Sequence, residues 1–136
     1  MNSQITEWLS MASFNPPATE EAISAVEAEM GIRFPTHYRD FMLESNGAEG
    51  GVGAISYLSI WPVESIASLN KAAKVDVFTP GLVYFASNGG GTTYAFDKRD
   101  ERMPIVEISD YSIHIEEAIL LGDTFIDFIE YLFNAE

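Results

Sequence analysis

Apolar residues recur at helical spacing in some stretches of this chain and gather into short aliphatic and aromatic runs in others. The two patterns predict different elements. Ile23, Val26 and Met30 form one helical stripe. Thr19 stands before it as a cap, and Glu20 and Glu21 put negative charge in the first turn, where the helix dipole favours it. Gly31 suits a left-handed stop, and Pro35 cannot continue the helix. A second helix is predicted from about His37 to Ser45, with Tyr38, Phe41, Met42 and Ser45 on one side and Asn46-Gly47 ending it. Pro62 suits a further helix start, with Val63, Ile66 and Leu69 as its buried side. The last helix follows Thr124, which with Asp127 fits a capping box, and Phe125, Phe128, Ile129 and Leu132 give it a broad apolar face. The leading segment Ile5–Met11 reads as a short helix set apart by Asn15-Pro16-Pro17.

Strands are expected at Ala54–Ile60, Leu82–Ala86, Thr92–Phe96 and Pro104–Ile108, with a further one at Tyr111–Ile115. Ser87-Asn88-Gly89-Gly90-Gly91 reads as a tight reversal between two of them. The glycine-rich stretch Ala48–Gly53 is expected to be a loop, and Asp97–Arg102 a charged turn. This order of helices and strands predicts an α+β fold, with helices packed on a largely antiparallel sheet. With 136 residues, one domain is expected over residues 19–136, preceded by an N-terminal segment over residues 1–18.

Charge changes this picture most. Seven Lys and Arg face twenty-one Asp and Glu, a formal net charge of −14. Carboxylates are costly to bury unpaired, so most must lie on the surface, where they repel nucleic acid and anionic lipid and attract basic proteins. A solubility role for the same charge is equally open. The distribution is uneven, because all seven basic residues fall between Arg33 and Arg102. If the two ends of the chain fold together, they build an anionic face. No partnership with nucleic acid or membrane is expected. There is no cysteine, hence no disulfide or thiolate site. No basic residue precedes Arg33 and no apolar run reaches membrane-spanning length, so the default expectation is a cytoplasmic protein.

Residues arranged for chemistry are few. His37 and His114 are the two histidines, and His114 would share a strand face with Glu116, but a metal site needs more ligands than this pair. Neither glycine cluster has phosphate-loop spacing. Glu20-Glu21 and Glu116-Glu117 are adjacent pairs, whose side chains do not converge on one bond. No cofactor, metal or catalytic residue is expected. Trp61 is either an interface anchor or a core residue, core being the commoner fate.

Several segments together carry a resemblance. Thr19-Glu20-Glu21, Ile23, Val26-Glu27, Met30-Gly31-Ile32, Phe34-Pro35, Tyr38-Arg39-Asp40-Phe41 and Ser45-Asn46-Gly47 resemble the amino-terminal signature of the SUKH superfamily, also called the Smi/Knr family. Ile60-Trp61-Pro62 with Glu64 and Ile66 is similar to the family's strand-then-helix segment. Phe85-Ala86 through Asn88-Gly89-Gly90-Gly91 to Tyr94-Ala95-Phe96-Asp97 resembles its central hairpin, and Thr124-Phe125 with Phe128 and Leu132 its closing helix. The likeness runs from about Thr19 to Phe133, while Ala48–Gly53 and the residues before Pro16 fall outside it.

The resemblance implies helices on a mixed or antiparallel sheet and a role in binding rather than catalysis. Bacterial members are mostly immunity proteins that neutralise a toxin, often a nuclease. A eukaryotic branch regulates cell-wall synthesis as an interaction hub. The leading expectation is therefore an immunity protein that binds a basic protein toxin, and the alternative is a regulatory interaction module without one. Independently of the family, the glycine-rich loop, the strand ends and the charged turn are the expected contact face. They nominate Asn46, Glu49, Trp61, Glu64, Asn88, Tyr94, Asp97, Glu107, Asp110 and Tyr111, each of which also serves as ordinary turn capping or solvated surface.

Overall fold

The computed structural model describes residues 2–136. Helix formation follows the caps. Asn2 opens α1 (Ser3–Trp8), its side-chain oxygen accepting from the Gln4 amide at 2.8 Å. The Thr19 hydroxyl accepts from the Ala22 amide at 3.1 Å and opens α2 (Glu20–Met30), which stops at Gly31 with φ 67°. Then come α3 (Thr36–Met42), a 3-10 turn over Val63–Ser65, α4 (Ile66–Ala72), α5 (Val75–Phe78) and α6 (Phe125–Asn134). At α6 the Thr124 hydroxyl accepts from the Asp127 amide at 3.1 Å, one half of the predicted capping box.

The strands are β1 (Ser13–Phe14), β2 (Ala48–Val52), β3 (Ser56–Ile60), β4 (Leu82–Ser87), β5 (Thr92–Asp97), β6 (Ile105–Ser109) and β7 (Ile119–Gly122). Among the described residues they form one sheet in the order β1 to β7, each neighbour antiparallel to the last. The expected α+β architecture with an antiparallel sheet is the one observed.

Several local expectations need correction. Ala48–Gly53 is not a loop: residues 48–52 pair with β3, and Ala48 and Glu49 also pair with β1. Gly50 is needed there because a side chain would collide with the Ala12 backbone 2.7 Å away. Tyr111–Ile115 is not a strand. It turns back through a single bridge between Ser109 and Ser112 and leads into a 3-10 turn over Ile115–Glu117. His114 and Glu116 therefore do not share a strand face. The strand in this region is β7, which the apolar pattern does not announce. Leu69 is 40% exposed, and Asn70 takes the buried place on α4.

One sheet face carries Leu58, Ile60, Val83, Phe85, Tyr94, Phe96 and Ile105 into the main core with the buried residues of α1, α2, α3 and α6. Tyr38 is at its centre, with ring centroids of Phe34, Phe96, Phe85 and Phe125 at 4.8, 5.1, 5.6 and 5.7 Å. Ile5 and Leu9 of the leading segment belong to the same core, and Trp8 meets Phe133 of α6 at 6.2 Å. The opposite face carries a smaller cluster of Leu82, Tyr84, Ala95, Val106 and Ile108 with Val75, flanked by Trp61, Ile115 and Ala118. No helix of the described residues is long and apolar enough to cross a membrane.

Candidate functional site

Side chains opposite each other in an antiparallel pair share a face, so the register defines what the sheet displays. Glu49 lies opposite Ser59, Ser59 opposite Ser87, Ser87 opposite Thr93, and Thr93 opposite Ile108 of the smaller cluster. This row runs across the face turned away from the main core. The smaller cluster packs against its β5–β6 end, and Trp61 flanks that cluster beyond Ser59. At the β2 end the Glu49 carboxylate accepts from the Tyr57 hydroxyl at 2.5 Å and from the Ser59 hydroxyl at 3.4 Å. At the other end the Asp110 carboxylate accepts from the Thr93 hydroxyl at 2.7 Å. The sheet thus carries a line of hydroxyls between two carboxylates, with Ser59 and Ser87 half-buried and Thr93 buried at 8% exposure.

The glycine-rich hairpin sits beside this row. Asn88 closes the turn by accepting from the Gly90 and Thr92 amides at 2.8 and 3.0 Å. Tyr111 lies over Gly91, where any side chain would overlap its ring. Tyr57 approaches the turn at Gly89. The two tyrosines are exposed by 42% and 86% and so bracket the turn. Hydrogen bonding to Glu49, more than any burial, raises the Tyr57 phenol above its ordinary pKa. Neither Glu49 nor Asp110 has an ion-pair partner among the described residues. Such a surface offers rigid aromatic area, adaptable hydroxyl and amide groups, and negative charge at both ends.

Comparison with known proteins adds an identity to this geometry. The model of the SMI1 / KNR4 family (SUKH-1) matches residues 17–131, most of the chain. This chain belongs to the SMI1 / KNR4 family. It is also 31% identical over 114 residues to the uncharacterized protein YnaB of Bacillus subtilis (strain 168), an alignment covering 82% of this chain and 74% of that protein. The family match begins after α1, although α1 contributes Ile5 and Leu9 to the core.

The fold of this SUKH-1 chain brings Glu49, Asn88, Asp110 and Tyr111 to one region and sends the other nominated residues elsewhere. Trp61 is half-buried beside the smaller cluster, two positions beyond Ser59, where its amide donates to the Phe85 carbonyl at 3.1 Å. Asn46 and Glu64 join the end of α3 to the 3-10 turn: the Asn46 side chain donates to Glu64 at 2.7 Å and accepts from the Val63 amide at 2.8 Å. Tyr94 faces the main core, 5% exposed and edge-on to Phe128 at 4.9 Å, and burial pushes its phenol up to about 12. Glu107 stands opposite Tyr94 on that same face, and burial raises its carboxyl above the usual range. Asp97 is held by Arg99, at 2.9 Å to each of two guanidinium nitrogens, and this hydrogen bonding keeps its carboxyl low. Sequence reasoning missed Tyr57, Ser59, Ser87 and Thr93. The alternation Tyr57-Leu58-Ser59-Ile60, polar out and apolar in, was the available signal for the first two.

Proposed function

We propose that this chain is a cytoplasmic immunity protein that binds and neutralises a basic protein toxin, a nuclease being the toxin class that fits best, through the hydroxyl row and its two flanking carboxylates. It acts as a binder and not as an enzyme. The observation that carries the reading is an open sheet face with exposed Tyr57 and Tyr111 and unpaired Glu49 and Asp110, on a chain of net charge −14. Membership of a family with immunity proteins in it supports the same role. A nuclease must expose cationic groups to hold phosphate. An acidic face meets such a surface with long-range attraction and a faster encounter. The tyrosines would supply the short-range contact area at low entropic cost.

The test begins with the gene beside this one. Its product should be toxic when expressed alone and tolerated when this chain is co-expressed. The purified pair should lose affinity as salt rises. Glu49→Gln with Asp110→Asn should slow association on the order of tenfold, and Tyr111→Ala should speed dissociation. A captured toxin that is indifferent to salt and to all three substitutions would remove this face from the account.

A further inference from the structure

Of the seven basic residues, Arg33 lies apart near the end of α2, and the other six divide into two groups. Three of the four arginines are committed: Arg39 to Glu20 and Glu27, Arg99 to Asp97, and Arg102 to Asp100, all at 2.9 to 3.3 Å. The three lysines, Lys71, Lys74 and Lys98, have no carboxylate within 4.0 Å among the described residues. Yet all three line one cleft of about 450 Å³. It lies between the end of α2, the end of α4, the start of α5 and the turn after β5.

The cleft is built as more than a gathering of surface amines. Met30, Val75 and Leu82 supply apolar lining, and the last two are 5% and 2% exposed. Lys74 stands at φ 53°, a left-handed conformation that is unfavourable for any residue with a Cβ. That backbone sets Lys74 at the junction of α4 and α5 and carries it to the rim. Glu29 and Asp76 share the rim. Three amines against two carboxylates leave one positive charge in excess, inside a chain whose overall field opposes anions.

We propose that this cleft binds a small monoanion with an apolar body, of the alkyl or aryl carboxylate class, independently of the sheet face. The volume is in the range of small-ligand sites, about 300–1,000 Å³. The apolar lining takes the body of the ligand, and the lysine amines take its charged head. A polyanion is disfavoured, because Glu29 and Asp76 would be left facing its additional charges.

Isotope-labelled protein titrated with hexanoate, hexanol and pyrophosphate, read by amide chemical shifts, tests this. Hexanoate should give saturable shifts centred on Lys74, Val75, Leu82 and Lys98. Hexanol should bind about tenfold more weakly or worse, and pyrophosphate should not saturate. Lys71→Met with Lys98→Met keeps the apolar stems, so it should weaken hexanoate about tenfold while the spectrum stays dispersed and the melting temperature holds. Equal binding of hexanol, tighter binding of pyrophosphate, no saturable shift, or a folded double variant that binds hexanoate unchanged would each overturn the proposal.

Discussion

Tyr38 occupies the middle of the aromatic core, and its hydroxyl is buried without a hydrogen-bond partner among the described residues. Burial drives its phenol far above the ordinary range, so the group is a neutral donor with nothing to donate to. An unmade hydrogen bond of this kind costs about 1–3 kcal/mol, while the ring itself is packed on four sides. Tyr38→Phe should therefore stabilise the fold by about 1 kcal/mol in urea denaturation. A loss of stability of that size would mean that the hydroxyl has a hidden partner such as an internal water. The sequence marks Tyr38 as a core residue through its spacing with Phe41 and Met42. It cannot mark the missing partner, which depends on Phe34, Phe85, Phe96 and Phe125 arriving from three other parts of the chain. Tyr94 is the converse case. Read alone it is an exposed aromatic of a hairpin, and only the register with Ala86 and Glu107 turns it beneath α6.

At the scale of elements, β3 and β4 pair only through Ser59–Ser87 and Ile60–Ala86, and β4 then runs on without a strand on that side. Asn70 of α4 fills the gap. Its amide donates to the Tyr84 carbonyl at 2.9 Å and its oxygen accepts from the Tyr84 amide at 2.8 Å, as a neighbouring strand would. Both backbone groups are buried, so they have no water to fall back on. Asn70→Ala should cost about 3 kcal/mol. Asn70→Asp should cost at least as much, because a carboxylate cannot donate to Tyr84 and is itself costly to bury. Urea midpoints check both, and a loss below about 1 kcal/mol would show that α4 is not pinned by this side chain. Which elements were legible follows the same division between local and distant causes. Thr19, Gly31 and Thr124 act on amides within a turn of themselves, so α2 and α6 could be read with their boundaries. The hairpin Ser87–Gly91 was legible for the same reason, its Asn88 bonds being local. Strand β2 was not, since its glycines argue for a loop until the backbones of β1, β3 and Ala12 are in place. Strand β7 was hidden because Ile119 and Leu120 are both exposed and only pairing with β6 makes them a strand. The proposed contact face suffers from both effects, because its row of hydroxyls exists only when β3, β4 and β5 are in register.

Across the whole molecule the dominant quantity is charge. Eight acids and no Lys or Arg lie between Met103 and Glu136, in the segment that forms β6, β7 and α6. The packing of α1 on α6 brings the two chain ends together, while Glu20 and Glu27 of α2 are drawn to Arg39 instead. Repulsion among so many carboxylates opposes the compact state, and protons or salt relieve it. Three carboxyls set the direction of the pH response, Glu107 one way and Asp97 and the exposed Asp100, held low by Arg102, the other. Glu107 has its folded pKa raised by burial, so its ionisation costs stability above that pKa, and the cost disappears as pH falls through it. Asp97 has its folded pKa lowered by Arg99, so it contributes stability above its unfolded pKa, and that contribution is lost as pH falls through the folded value. The two responses act in different windows. Stability should therefore change little just below pH 8, rise as pH falls into the upper carboxylate range, pass through a maximum near pH ~5, and fall once the low carboxyls protonate below roughly pH 4. Glu107→Gln should flatten the rising limb and leave the falling one in place. Adding salt at pH 8 should recover about 1 kcal/mol, roughly 3–5 °C in melting temperature for a chain of this length, and much less at the maximum. A melting temperature that declines steadily from pH 8 downward, or that ignores salt, would mean that the surplus carboxylates are too well solvated to repel one another. A basic partner would then gain little by neutralising them.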